Sequence, residues 1–102
     1  MFDRRRAERK PVEIFFNKYL EGHPYLARTV DLSEGGVLCQ GYIEPARGPE
    51  GFPVEILLPE ATEPLWIWAR RIGRRGTFSV LRFMGMAADD ERRLVEYLSR
   101  AA

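Results

Sequence analysis

The sequence has little of what a disulfide, a metal centre or a membrane span requires. Among its 102 residues there is one cysteine, Cys39, and one histidine, His23. An intramolecular disulfide is therefore excluded, and a cysteine-based metal site is not expected. No stretch approaches the roughly 18 apolar residues of a transmembrane helix, and the start lacks the apolar core of a signal peptide. These absences predict a cytoplasmic protein.

The net charge is also small, since the chain has 16 Lys and Arg residues and 15 Asp and Glu residues. A net charge of +1 argues against a protein that binds polyanions by bulk charge. The cations are nevertheless concentrated at the start of the chain. They are Arg4, Arg5, Arg6, Arg9 and Lys10, opposed by Asp3 and Glu8. Residues 1–10 are predicted to be a flexible, arginine-rich ligand-binding tail, and residues 11–102 to form the folded domain.

Apolar residues alternate with polar ones through most of the chain, which predicts short β-strands. Six strands are expected, over residues 12–20, 25–32, 36–42, 54–58, 65–72 and 77–83, with a hairpin turn over 73–76. From Asp89 the apolar spacing becomes helical, with Asp89 or Asp90 placed to cap the first turn. The pattern predicts a mainly β fold, a six-stranded antiparallel β-barrel with a C-terminal α-helix.

Two short polar clusters contain the candidate binding residues, and the first is a group of arginines. Arg5 and Arg9 lie four positions apart, and Arg4 comes just before them. A guanidinium group is always charged and can pair with a phosphate or with the O6 and N7 edge of guanine. The group also fits a simpler interpretation, a solvated basic start.

The second cluster lies at a predicted turn, Asp31-Leu32-Ser33-Glu34-Gly35-Gly36. The Asp31 carboxylate can accept hydrogen bonds from guanine N1–H and N2–H₂, and the Ser33 hydroxyl can donate or accept. Gly36 would let the backbone approach a flat base, since it has no Cβ. An ordinary turn is the simpler alternative. Together the clusters favour a site for a guanine nucleotide carrying phosphates.

Other candidates are weaker. Trp66 and Trp68 share one face of a strand and are expected to pack the barrel, while Cys39 is expected to be a buried apolar residue. Arginines 70, 71, 74 and 75 are expected to form a solvated face, and a basic partner-binding edge is the alternative. Because no paired carboxylates, nucleophile–base pair or metal-ligand spacing occurs, we expect no catalytic residue, no metal, no cofactor and no enzyme activity.

The chain resembles the PilZ domain, the bacterial receptor module for cyclic di-GMP, whose signature is RxxxR followed about twenty residues later by DxSxxG or NxSxxG. Arg5 to Arg9 matches the first part, Asp31 to Gly36 matches the second, and residues 78–83 resemble the family's last core strand. The resemblance implies that Arg5 and Arg9 grip guanine and phosphate. It also implies a ligand site that includes Asp31, Ser33, Gly35 and Gly36. An arginine at the position of Arg4 implies an intercalated pair of ligands.

The resemblance further implies an adaptor that relays the messenger to a separate partner protein. The family's usual outputs are motility, pilus, exopolysaccharide or transcription machinery, and neither nucleic acid nor membrane is expected as a partner. The ligand would order residues 3–10 against the barrel. Two alternatives stay open. One is a PilZ-like interaction module that binds no ligand, and the other is a nucleic-acid-binding barrel that the low net charge disfavours.

Overall fold

Side chains alternate along the strands, and every second one points into a shared interior. In the strand Leu65–Arg75, Leu65, Ile67 and Ala69 are buried, whereas Trp66 and Trp68 face outward and are about half exposed. The prediction that the two tryptophans pack the barrel is therefore wrong. The alternation of this strand leaves room inside for one set of side chains, and the aliphatic set occupies it.

The computed structural model describes residues 9–45 and 47–101. Its strands are β1 (Lys10–Pro11), β2 (Phe15–Leu20), β3 (His23–Leu32), β4 (Gly36–Gly41), β5 (Gly51–Ile56), β6 (Leu65–Arg75) and β7 (Phe78–Met86). They pair in the order β1-β3-β2-β5-β6-β7-β4, and β4 also pairs with β3. Strands β2 to β7 thus close a six-stranded antiparallel barrel, and one helix follows them, α1 (Ala88–Arg100). The predicted fold class is confirmed.

The predicted first strand, residues 12–20, is interrupted near its start. Lys10 and Pro11 pair with the end of β3, β2 begins only at Phe15, and between them Val12 and Ile14 contact the Thr29 side chain. The buried Thr29 hydroxyl accepts a hydrogen bond from the Ile14 amide at 2.8 Å and donates to the Val12 carbonyl at 2.5 Å. The Thr29 amide also donates to the Ile14 carbonyl at 2.9 Å. One backbone hydrogen bond therefore remains here and the Thr29 side chain supplies the others, which a period-two pattern does not reveal.

The hairpin turns are tighter than predicted. Strands β2 and β3 are joined by Glu21 and Gly22 alone, both at positive φ (53° and 84°), as in two-residue hairpins whose twist matches the strands. The β6–β7 turn falls at Gly76 and Thr77 rather than over residues 73–76, because β6 continues to Arg75.

Strand β5 begins at Gly51, three residues before the predicted strand over residues 54–58, and ends at Ile56. Pro53 is tolerated because the pairing of β5 with β2 extends only from Ile56 to Val54, so no ladder bond to β2 is required of Pro53.

Helix α1 packs its apolar stripe against the barrel, with Leu94 and Leu98 buried. The predicted cap by Asp89 or Asp90 is wrong, because the N-cap position is Ala87 and no side chain caps it. Both carboxylates lie within the first turn, where Asp90 accepts a hydrogen bond from the Trp66 amide at 3.3 Å. None of the helices in the described part is long and apolar enough to span a membrane.

The barrel interior contains the predicted buried thiol and one unexpected charge. Cys39 is fully buried, as expected. Lys18 is also buried, at 1% exposure, and its Nζ lies 2.9 Å from Oε2 of Glu44, which belongs to the loop after β4. Burial of a charge is tolerated only when it is paired, so this contact anchors that loop to the interior.

Candidate functional site

The two sequence clusters meet at one edge of the barrel. Nη1 of Arg9 lies 2.7 Å from Oδ1 of Asp31 and donates a hydrogen bond to it. The contact follows from the sheet register, since Lys10 lies opposite Leu32 and Pro11 opposite Asp31 in the antiparallel β1–β3 pair. The Arg9 side chain is 47% exposed and that of Asp31 is 23% exposed, so both charged groups remain accessible.

A bulge in β3 sets the position of Asp31. The register between β3 and β4 shifts between Thr29 and Asp31, so that Asp31 lies opposite Leu38 whereas Thr29 lies opposite Cys39. The extra residue, Val30, reorients the end of the strand, as bulges commonly do beside functional sites. Thr29 therefore faces the interior and Asp31 lies at the accessible edge.

Ser33 organises the turn between β3 and β4. Its buried Oγ accepts hydrogen bonds from the amides of Gly35 at 3.2 Å and Gly36 at 3.1 Å, and it lies 3.2 Å from the Gly36 carbonyl oxygen. The Ser33 amide donates to the same Gly36 carbonyl at 2.9 Å. The serine thus holds the turn in shape, and its hydroxyl reaches a ligand only by giving up one of these contacts.

The two glycines of the turn have different roles. A Cβ on Gly36 would overlap the carbonyl oxygen of Leu81 in β7, so glycine is required there by packing. A Cβ on Gly35 would meet nothing within 4 Å, and the Gly35 carbonyl accepts a hydrogen bond from the Phe83 amide at 2.8 Å. Gly35 therefore presents an open, fixed surface of backbone.

The fold brings two further arginines toward this turn. Gly36 lies opposite Arg82 in the β4–β7 pair, and Arg82 lies opposite Arg70 in the β6–β7 pair. Both arginines face outward and are exposed. Sequence reasoning assigned Arg82 no role, although its alternation with buried Leu81 in the strand pattern could have placed it on the outer face.

The described structure thus unites five predicted residues at one barrel edge: Arg9, Asp31, Ser33, Gly35 and Gly36. The other two, Arg4 and Arg5, lie outside the described residues. A guanidinium, a carboxylate and an uncovered stretch of backbone together suit a flat ligand that has hydrogen-bond donors and carries negative charge. In the ranges described, no group of three His, Cys, Asp or Glu residues could hold a metal ion.

A six-stranded closed barrel with one C-terminal helix places the chain among the small β-barrel domains. The PilZ domain profile matches residues 3–100, so the chain belongs to the PilZ domain family. Domains of this family are binding and adaptor modules rather than enzymes. Among proteins with curated descriptions, none matches the sequence.

Two solved structures are similar to this fold. The PilZ domain of CeSA from a cellulose-synthesizing bacterium has a TM-score of 0.71 and 25% identity, and the match covers 92% of this chain and all of that domain. The Bacillus subtilis inhibitor of motility, MotI/DgrA, has a TM-score of 0.72 at 20% identity. That match covers 97% of this chain but 51% of MotI/DgrA, so the chain spans about half the length of that protein.

Proposed function

We propose that this protein is a cyclic di-GMP receptor and adaptor that binds the messenger through RxxxR and DxSxxG and relays it to a separate partner protein. The observation that carries the proposal is the contact between Arg9 and Asp31 beside the Ser33–Gly36 turn. It supports a single site made from both signature motifs. PilZ family membership is the second support.

The chemistry of the site matches the two parts of this ligand. Each guanine offers N1–H and N2–H₂ to a carboxylate, which Asp31 supplies, and O6 with N7 to a guanidinium, which Arg9 supplies. The two phosphates of the cyclic dinucleotide require further cations, and Arg5 with Arg9 fills that role in this proposal. The open surface over Gly35 leaves room for the plane of a base.

Binding must rearrange the pair that the free protein forms. Because Arg9 and Asp31 neutralise one another in the free state, a ligand that engages both has to replace their mutual contact with contacts to itself. The exposed pair is weak, on the order of 0–1 kcal/mol, so this exchange costs little. In our proposal the ligand also orders residues 3–10 against the barrel, and the altered surface is what a cytoplasmic partner reads.

The stoichiometry depends on Arg4 in this proposal. A guanidinium before RxxxR supplies a stacking plane and extra positive charge, both of which an intercalated second ligand requires. We therefore propose two ligands per chain, reduced to one by Arg4→Ala.

Calorimetric titration of cyclic di-GMP into the purified protein tests the proposal, with GTP as the ligand control. We expect saturable heat with the cyclic dinucleotide only, lost in Arg9→Ala and retained in Arg75→Ala. Arg75 is a matched control because it is an exposed arginine at the far end of β6. Absence of both heat and thermal stabilisation in the parent protein would favour the alternative, a PilZ-like interaction module that binds no ligand.

A further inference from the structure

A groove lined with aromatic and proline side chains crosses the outer face of the barrel, and the ligand site does not account for it. Its volume is about 470 Å³, and its rings come from β2, β5, β6 and the loop before β5. They are Tyr19, Pro49, Pro53, Trp66 and Trp68, and the core residue Phe52, only 3% exposed, borders the groove from the interior. Cross-strand register creates the groove, since Pro53 lies opposite Trp68 and Glu55 lies opposite Trp66 in the β5–β6 pair.

The two tryptophan rings are exposed yet held in place. Trp66 is 46% and Trp68 52% exposed. The centroids of Tyr19 and Trp66 lie 5.3 Å apart, with planes tilted by 45°. The Trp68 ring lies over Gly51, where an added Cβ would come within 3.1 Å of Cζ2. Both tryptophans belong to a strand paired on both sides, so the groove is formed before any partner arrives.

The sheet itself limits how a partner can bind here. Over the groove, β5 pairs with β6 along residues 51–56, and β6 pairs with β7 on its other side. An added strand would need unpaired backbone donors and acceptors. Strand β6 is paired on both sides, and residues 51–53 of β5, which lie beyond the β5–β2 pairing, include Pro53, which has no N–H to donate. A partner must therefore pack on the rings and accept hydrogen bonds from the indole N–H groups, as polyproline II segments do in aromatic grooves.

The charged residues at the groove are acidic. Glu21 is part of its lining, and Glu55 lies beside it, accepting hydrogen bonds from the Tyr19 hydroxyl at 3.1 Å and from Asn17 Nδ2 at 3.2 Å. These carboxylates repel phosphate groups, which disfavours a stacked nucleotide. They attract a lysine or arginine, which can also lie over an indole face.

The groove is too small to form a dimer interface alone. A tryptophan side chain buries at most about 250 Å², so two half-exposed indoles present roughly 250 Å² together. A stable interface takes about 800 Å² from each partner. The volume instead lies within the range of roughly 300–1,000 Å³ that small ligands fill, which a few extended residues would occupy.

We infer that this aromatic groove docks a proline-rich, cationic segment of a partner protein in the polyproline II conformation. Proline rings pack flat on aromatic rings, and the segment holds its bound conformation in advance, so little conformational entropy is lost. The inference deepens the proposed adaptor role by giving the chemistry of its partner. It can fail independently of ligand binding, because the groove shares no residue with Arg9, Asp31 or the Ser33–Gly36 turn.

Intrinsic fluorescence provides a direct test, since both tryptophans of the chain belong to the groove. The probe is a synthetic peptide of the repeat Pro-Pro-Leu-Pro with an arginine at each end. We expect a saturable emission change, a dissociation constant at least about tenfold higher in Trp68→Ala, and no change in Ile72→Ala. Ile72 is a matched control because it lies on β6, outside the groove lining, and is also 52% exposed.

Two comparisons test separately whether the segment must be cationic and whether the groove is independent of cyclic di-GMP binding. A peptide with glutamates in place of arginines should bind several-fold more weakly, and Glu21→Gln should reduce that preference. Cyclic di-GMP titration of the same Trp68→Ala protein should match the parent. The inference would be overturned by no saturable change up to about 1 mM peptide, by equal affinity for the glutamate peptide, or by self-association that Trp68→Ala abolishes.

Discussion

Arg9 and Asp31, separated by 22 positions in sequence, form an ion pair of 2.7 Å at the edge of the barrel. Each residue belongs to a different half of the signature, so the free protein already holds the two halves together. The pair depends on the short β1 strand, which places Pro11 opposite Asp31. A test of this site must therefore separate what the residues do for each other from what they do for a ligand.

A charge swap makes that separation. Arg9→Asp places two carboxylates side by side and should lower the midpoint of thermal unfolding by a few degrees, since exposed pairs are worth about 0–1 kcal/mol. The double variant Arg9→Asp/Asp31→Arg should restore the midpoint but bind no cyclic di-GMP, because the ligand then meets each charge in the wrong place. Differential scanning fluorimetry and calorimetry measure the two effects. Ligand binding by the double variant would show that the charges need only be paired.

The two glycines of the turn should respond oppositely to alanine. Gly36→Ala should destabilise the fold by about 1–3 kcal/mol, because its Cβ would overlap the Leu81 carbonyl of a fixed neighbouring strand. Gly35→Ala should leave the unfolding free energy nearly unchanged, since its Cβ meets nothing within 4 Å. It should lower the affinity for cyclic di-GMP, because the added methyl group occupies the surface on which we place a base. Urea unfolding and calorimetry on both variants test this. A Gly35→Ala protein that binds normally would remove Gly35 from the site.

Local patterns in the sequence predicted the barrel strands and the C-terminal helix, and they failed where distant contacts decide the outcome. The period of two predicts the barrel strands, but it cannot reveal that the Thr29 hydroxyl bonds to the Val12 carbonyl and the Ile14 amide where the first strand is interrupted. Likewise, Trp66 and Trp68 are apolar, yet the same strand holds a second apolar set, and only closure of the barrel determines which set is inside. Gly36 was interpreted as space for a base, whereas the packing of β7 already requires it.

The environment of the buried Lys18 is likewise decided by a contact distant in sequence. Alternation places it inward beside Phe16 and Leu20, but its partner Glu44 comes from a loop that no periodicity positions. Lys18→Met should therefore cost about 3–5 kcal/mol, because it leaves the Glu44 carboxylate, 11% exposed, without its cation. The double variant Lys18→Met/Glu44→Leu should recover most of that loss.

A double-mutant cycle from urea unfolding tests this coupling, with Arg70→Met/Glu50→Leu as the control. The Arg70–Glu50 pair is 57% and 72% exposed at a distance of 3.4 Å, so its coupling should be under about 1 kcal/mol. Equal couplings for the two pairs would show that the Lys18 charge is better hydrated than its burial implies.

Because its pKa is raised, the Cys39 thiol should make the free energy of unfolding fall at alkaline pH. Burial raises the pKa of Cys39 to about 11, whereas an unfolded cysteine titrates near 8.5. Below the unfolded value both states hold the proton, so the full stability is present. As the pH rises toward 11 the unfolded chain loses its proton first, and the unfolding free energy should fall by up to about 1.4 kcal/mol per pH unit.

Urea unfolding across the range from about pH 8 to 10.5 tests this, with Cys39→Ala as the control that retains every other titrating group. The difference between the two proteins should narrow steadily as pH increases. The same pKa leaves about one thiol in a thousand ionised at pH 8, so an aromatic disulfide reagent should modify native Cys39 only at the rate of unfolding. Rapid modification of the folded protein, or parallel pH curves for the two proteins, would contradict a thiol held protonated by the barrel interior.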